Sequence, residues 1–430
     1  MEIKVFKFGG ASVSSASGFR NVCNILKKYR KNRIMAVISA LGKTTNALET
    51  LLKHYLANDP IQLIGSFDAI REAHFSIVDE LFPDKNHMVY GELDSLFNML
   101  RGYIRKGHLY DKNKKSYDFE YDQVVSYGEL FSSCILFNFL NSQGLECSLL
   151  DARDLIKTDN TYRDAKVNWE ETGKIISFAI HTYFSSSSGI ALTQGFIGSD
   201  DKRNTTTLGR EGSDYTAAIF AFVLKTKELT IWKDVPGVLN ADPKWFSNPR
   251  KLATISYREA IELAYYGASV IHPKTIRPLE NAGIRLYVKS FLNPGAPGTL
   301  ITNIDSWQIS FPIYIRKQNQ VLISMSPRDF SFIVEENLSQ IFMTLSKYRA
   351  KANVMQNSAI SFSVCLDANE QILPELIEEL SKEYEIRYNY NLDLFTVRHY
   401  TPSAIRRLTK GRTVLLEQKT RHTVHLVIGN

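Results

Sequence analysis

The chain has 430 residues, of which 44% are hydrophobic and 23% charged, so it can bury two or three separate cores and has the composition of an ordinary folded protein. No apolar run approaches the length needed to span a bilayer, and the four scattered cysteines (Cys23, Cys134, Cys147, Cys365) contain no C-x-x-C pair, so they suggest neither a zinc ribbon nor a disulfide framework. The net charge of +7 is spread along the chain without an arginine-rich stripe or interleaved aromatics, so it suits acidic small molecules better than nucleic acid.

The chain opens with EIKVFKFGGASV, where Ile3, Val5 and Phe8 mark a short buried strand ending at Lys7 and the pair Gly9-Gly10. Glycines let backbone N–H groups approach a phosphate, and a helix start favours negative charge. A lysine beside such a loop can neutralise a transferring phosphoryl group; it can equally be a surface lysine at a strand end. With a strand directly at the start, no signal peptide is expected, and reduced cytosol is the simplest location.

Further buried strands are predicted at 33–41, 189–197, 228–235 and 284–291, and helices at 18–31, 127–143, 213–225 and 256–268. Residues 50–120 read as mostly helical with a charged tip near 111–119, either an insertion beside the site or a mobile lid; the basic cluster Asp111–Lys115 reads as a solvated turn. This alternation predicts an α/β fold, a mainly parallel sheet sandwiched by helices. Pro and Gly punctuate PGAPGTLITNID (294–305), which divides the chain into domains 1–304 and 305–430. After it come strands at 321–327, 358–366, 392–400, 412–418 and 422–429, and helices at 336–350, 372–384 and 401–410. These strand–helix–strand units predict a C-terminal α+β, ferredoxin-like region.

Several segments, in order, resemble the aspartokinase family of the amino-acid kinase superfamily: KFGGASV, SALGKTTN (39–46), LGREGSD within 205–222, WKDVPGVLNADP within 231–243, and the stretch 256–279. The resemblance covers about the first three hundred residues and implies the amino-acid kinase fold followed by tandem ACT-type modules. It implies transfer of the ATP γ-phosphoryl group to the side-chain carboxylate of L-aspartate, giving 4-phospho-L-aspartate, the first step of lysine, threonine and methionine biosynthesis. A carboxylate is already ionised at neutral pH, so the site needs positioning and charge neutralisation rather than a general base.

By that resemblance Lys7 and Asp214 are the catalytic pair, with Asp214 orienting the lysine; a helix-start aspartate can also serve as a cap. Ser39, Thr45, Glu129, Arg210 and Ser213 would bind substrate, Glu129 gripping the α-ammonium and the Arg210 fork a carboxylate. Lys7, Gly9, Gly10, Lys233, Asp234 and Lys244 would bind nucleotide. ATP and Mg²⁺ are expected, the ion held by ATP oxygens and water with no protein ligand named, and His272 reads as structural. The expected partners are L-aspartate, ATP and an amino-acid effector, with a homodimer formed through the ACT modules. Three residues depart from the family pattern: Ala11 for Thr or Ser, Glu211 for glycine, and Ser269 for lysine. Glu211 is expected to crowd anionic ligands unless it points outward. The competing functions are a catalytically weak amino-acid sensor on the same fold and another amino-acid kinase.

Overall fold

The computed structural model describes residues 2–107, 116–268, 271–304, 309–329 and 331–429. Asp111–Lys115, Ser269 and the predicted domain junction at 305 lie outside them. In chain order the elements are β1 (Ile3–Phe8), α1 (Ala16–Lys28), β2 (Arg33–Ile38), α2 (Thr44–Leu56), α3 (Pro60–Leu81), α4 (Val89–Gly107), α5 (Tyr117–Val125) and α6 (Tyr127–Ser142). Next come β3 (Cys147–Leu150), α7 (Ala152–Leu155), α8 (Trp169–Ser186), β4 (Ile190–Gln194), β5 (Ile197–Ser199), β6 (Thr205–Thr207), α9 (Gly212–Val223) and β7 (Glu228–Lys233). Then follow β8 (Thr254–Ser256), α10 (Tyr257–Tyr265), α11 (Pro273–Asn281), β9 (Arg285–Ser290) and β10 (Thr299–Thr302).

Two compact units result. The first comprises residues 1–238, 251–261 and 270–304 and is built on an eight-stranded sheet of order β3-β4-β2-β1-β7-β9-β10-β8. The strands from β3 to β9 pair in parallel, and β10 runs antiparallel to β9. A mainly parallel sheet has both faces covered, so its strands are apolar on both sides: Val5, Phe6 and Phe8 on β1 and Ile34 to Ile38 on β2 are all buried. Helix α6 is apolar around almost its whole circumference and is correspondingly buried. Its Phe131 stacks on Phe97 of α4 at 4.0 Å and meets His74 of α3 edge-on at 5.1 Å. The stretch between 50 and 120 is thus no loose appendage in its described part. Leu63, Phe67, Ile70, Ile77, Leu93 and Phe97 belong to the same core cluster as the sheet residues Phe6 and Ile38.

The second unit comprises residues 239–250, 262–269 and 305–430. Its further elements are β11 (Ile313–Pro327), α12 (Glu335–Lys347), β12 (Ala352–Asn357), β13 (Phe362–Asp367), α13 (Leu373–Ser381), β14 (Tyr384–Arg398), α14 (Pro402–Thr409), β15 (Thr413–Lys419) and β16 (Thr423–Gly429). They form one antiparallel sheet of order β12-β13-β11-β14-β16-β15, the α+β region that the tandem pattern predicts. Helices α12 and α13 cover one end through Ile341, Leu345, Leu376 and Leu380, and α14 covers the other through Ala404 and Leu408. The 15-residue strands β11 and β14 run through both ends. Their register shifts between Lys317 and Leu322, near Asn319 and Asn391, which both hold positive φ. Asparagine tolerates that conformation, so the long strands bend there. Among the described residues no helix is long and apolar enough to cross a membrane, and all four cysteines are free and buried.

Phe131 is fully buried at the meeting point of α3, α4 and α6. Phe131→Ala should therefore cost about 3–5 kcal/mol in denaturant unfolding of the first unit. A loss below about 1 kcal/mol would show that this aromatic stack does not carry the helical layer.

Candidate active site

Parallel α/β sheets bind ligands beyond the carboxyl ends of their strands. Here β4, β2, β1 and β7 are neighbours, and the loops that leave them frame a cavity of about 540 Å³. Its lining includes Lys7, Gly10, Ser39, Thr45, Glu129, Arg210, Ser213, Asp214 and Lys233. Nine of the twelve sequence-derived site residues therefore share one space. Gly9 adjoins it: a Cβ there would stand 3.3 Å from Lys7 Nζ. Asp234 is exposed and is not among the lining residues, and Lys244 lies in the second unit.

Lys7 is carried on β1 between β2 and β7, opposite Val37 and Ile231. Its ammonium pairs with Asp214 Oδ1 at 2.7 Å, and Lys233 at the end of β7 stands 3.6 Å from Asp214 Oδ2. Asp214 occupies the first turn of α9, where the helix dipole favours a carboxylate. Burial pushes its carboxyl up, but the Lys7 and Lys233 charges outweigh that and hold it below the ordinary value. The two ammonium groups thus face one carboxylate.

Gly10 has a steric reason as well as a chemical one. A Cβ there would lie 2.9 Å from the carbonyl oxygens of both Ala40 and Gly42. The two loops after β1 and β2 are thereby pressed together, and the Gly42 N–H donates to the Gly10 carbonyl at 3.1 Å. Gly195, after β4, is similar: a Cβ would lie 2.5 Å from the Ser213 Cβ.

Glu129 sits in the first turn of α6 and is 2% exposed. One of its oxygens accepts the Ala40 N–H at 3.2 Å, and the other, Oε2, is buried without a hydrogen-bond partner among the described residues. Burial pushes this carboxyl up to about 8, against the lowering pull of the Ala40 N–H and the Lys7 charge. A buried acceptor with a free oxygen on a cavity wall is suited to a ligand ammonium.

Glu211 does not crowd the ligand space freely. It holds φ 54°, the left-handed conformation that a glycine would take without strain, and its Oε2 accepts the His272 N–H at 2.9 Å. One carboxylate oxygen is thus engaged at the N-cap of α11. Ala11 is exposed and offers no hydroxyl.

Three further lining residues carry no motif: Tyr121 on α5, Arg163 in the loop before α8, and Phe196 after β4. Arg163 is anchored through its backbone, whose N–H lies 3.1 Å from both oxygens of Asp122. Asp122 also accepts the Thr207 N–H and hydroxyl, each at 2.7 Å. Burial pushes the Asp122 carboxyl up to about 7, while the Thr207 and Arg163 hydrogen bonds pull the other way. Asp122 itself could have been noticed only as one more polar residue of a helix.

A strand-edge crevice with paired lysines and a helix-start carboxylate defines a phosphoryl-transfer class of α/β protein, and residues 2–290 match the Amino acid kinase family. Within that class, Arabidopsis thaliana aspartokinase 2, chloroplastic, is 30% identical over 390 residues, which are 88% of this chain and 69% of that protein. Escherichia coli aspartokinase III, solved with aspartate and ADP and also with lysine and aspartate, aligns in each state at a TM-score of 0.81 and 26% identity, over 99% of this chain and 96% of that one. The Arabidopsis bifunctional aspartokinase/homoserine dehydrogenase 1 is 29% identical over 88% of this chain, which spans 42% of that longer protein. The chain belongs to the aspartokinase family.

Glu129 gives a signed pH dependence. A carboxyl protonated in the fold but ionised when unfolded makes stability fall as pH rises from the ordinary glutamate range, near 4.3, to about 8. Glu129→Gln removes that loss. The variant should be more stable than wild type at pH 8–9 by about 1–3 kcal/mol, with the gap closing towards pH 4–5. Thermal melts across that range check this; a gap independent of pH would refute the buried, proton-binding Glu129.

Proposed function

We infer that the protein is an aspartate kinase, transferring the ATP γ-phosphoryl group to the side-chain carboxylate of L-aspartate. The observation that carries this reading is the buried Asp214 flanked by Lys7 and Lys233 in the same cavity as Arg210 and Glu129. A dicarboxylic amino acid needs cations for its carboxylates and an anion for its ammonium, and that cavity offers both. Arg210 takes the α-carboxylate as a bidentate fork, and Glu129 takes the α-ammonium with its free oxygen. Thr45, Ser39 and Ser213 supply hydroxyls around the same ligand. The side-chain carboxylate attacks without prior deprotonation.

Lys7 neutralises charge on the phosphoryl oxygens as the bond to ADP breaks and the acyl-phosphate bond forms. Asp214 keeps the Lys7 ammonium aimed, and Lys233 holds the nucleotide side together with the Gly9-Gly10 backbone. Asp234 and Lys244 belong to the expected adenosine loop. Mg²⁺ fits as the companion of the nucleotide: Lys7, Lys233, Arg163 and Arg210 on the cavity wall suit phosphate oxygens, while the Asp214 carboxylate is taken up by Lys7 and Lys233, so ATP oxygens and water would hold the ion. Residues 1–304 act as the catalytic domain and 305–430 as tandem ACT-type modules, in a cytoplasmic homodimer whose product feeds lysine, threonine and methionine synthesis.

A coupled ADP-release assay with and without L-aspartate tests the reading. Aspartate-dependent release is expected, and Lys7→Ala should lower kcat by about two to four orders of magnitude, the range for a lost preorganised electrostatic donor. Release that does not depend on aspartate would favour a different kinase, and none at all would favour the silent sensor.

The effector response should differ from that of the lysine-binding E. coli relative. Asn353 and Ala359 stand where acidic groups are expected to hold a lysine ligand. Asn353 is moreover engaged by Lys317, Gln320 and Asp367 at 2.8–2.9 Å, which leaves it little capacity for a ligand. Lysine should therefore inhibit weakly, with threonine the next effector to test. Titration of each against initial rate checks this; strong inhibition by micromolar lysine would overturn it.

A further inference from the structure

We propose that Arg163 is a second guanidinium of the aspartate site, which engages the acceptor carboxylate and sets the preference for a dicarboxylic amino acid. This rests on the functional reading above. In that reading the α-carboxylate has Arg210, the ammonium has Glu129 and the phosphoryl group has Lys7. The side-chain carboxylate has no cation of its own.

Arg163 has the placement for that task. It lines the cavity together with Arg210, and its guanidinium lies 4.4 Å from the ring centroid of Tyr121, another lining residue. Stacking on a ring limits the rotamers of a long side chain, so less freedom is lost when a ligand binds. Its backbone is held at φ 66°, a conformation an arginine adopts only under constraint. The constraint is the fully buried Asp122, which takes the Arg163 N–H and both donors of Thr207. Three donors on one carboxylate, the Arg163 N–H shared between its two oxygens, fix a loop residue that would otherwise relax.

The guanidinium itself is only lightly engaged. Its Nη1 stands 3.4 Å from Asp118, and the two side chains are 43% and 55% exposed. An exposed pair of that kind contributes little. It can be exchanged for a ligand carboxylate in the drier cavity, where a charge-assisted contact is stronger. Asp118 therefore acts as a placeholder that competes with substrate, and Asp122 as the positioning residue.

Steady-state kinetics on the full chain separates these roles. Arg163→Gly accepts the positive φ without strain and so should keep the fold. We expect its KM for aspartate to rise about 10- to 100-fold, as for loss of charge-assisted hydrogen bonds, with kcat within about tenfold and the KM for ATP unchanged. Asparagine, which lacks the second carboxylate, should compete equally well against wild type and variant. Asp118→Asn should act in the opposite direction and lower the KM for aspartate. An Arg163→Gly enzyme with wild-type KM, or one in which the asparagine inhibition constant rises in parallel, would overturn the proposal. Failure of the wild-type protein to release ADP with aspartate would instead overturn the functional reading and this inference with it.

Discussion

The ion pair between Lys7 and Asp214 is the constraint on which the site depends. Both side chains are nearly fully buried, so each would carry a large desolvation cost if left alone. Their pairing offsets that cost and binds the end of β1 to the first turn of α9. The approach of Lys233 to the second oxygen of Asp214 adds a further charge. Two ammonium groups are thus gathered on one buried carboxylate at the ends of the parallel strands. Cations held in place in this way suit a transferring phosphoryl group.

The other charges around the cavity act in the same sense. Among the described residues, four cationic side chains line it, Lys7, Lys233, Arg163 and Arg210, against three carboxylates. Of those three, Asp214 is consumed by the lysines and Glu211 has one oxygen on the N-cap of α11. Burial makes Glu129 favour its neutral form. A cavity with this balance favours anionic ligands. In the proposed reading, selection of an amino acid bearing two carboxylates would rest on this arrangement of charge rather than on a large apolar pocket.

Much of this was legible in the sequence because the informative residues are local. A strand end, a turn and a helix start fall within a few positions in KFGG and in GREGSD, so Lys7, Arg210, Ser213 and Asp214 could be named together. Tyr121, Arg163 and Phe196 could not. Each reaches the cavity from a separate segment, and only the packing of α5, the loop before α8 and the turn after β4 assembles them. The strand segments that escaped the sequence reading are those without a sustained apolar run. Residues 384–391 are mostly exposed, so no apolar run announces that β14 begins eight residues before the predicted strand. The first half of β11, at 313–320, has only three apolar residues, Ile313 to Ile315, before a charged and amide run from Arg316 to Gln320, so no apolar stretch of strand length marks it. The short β10 lies inside the Pro- and Gly-rich stretch that reads as a domain junction.

The three non-glycine residues Arg163, Phe196 and Glu211 share a second property beyond lining the cavity. All hold positive φ, at 66°, 69° and 54°. Such backbones cost about 1–3 kcal/mol each and persist only where the surroundings over-determine them. The surroundings do so in each case by hydrogen bonds reaching in from behind the site. Asp122 holds the Arg163 N–H, Thr216 accepts the Phe196 N–H at 3.0 Å while Leu208 donates to its carbonyl at 2.8 Å, and the His272 N–H holds the Glu211 carboxylate. The cavity wall is thus set by residues that never face it. A substitution at Asp122 or Thr216 would alter ligand binding through the backbone angle of a neighbour, while leaving every ligand-facing side chain in the sequence intact.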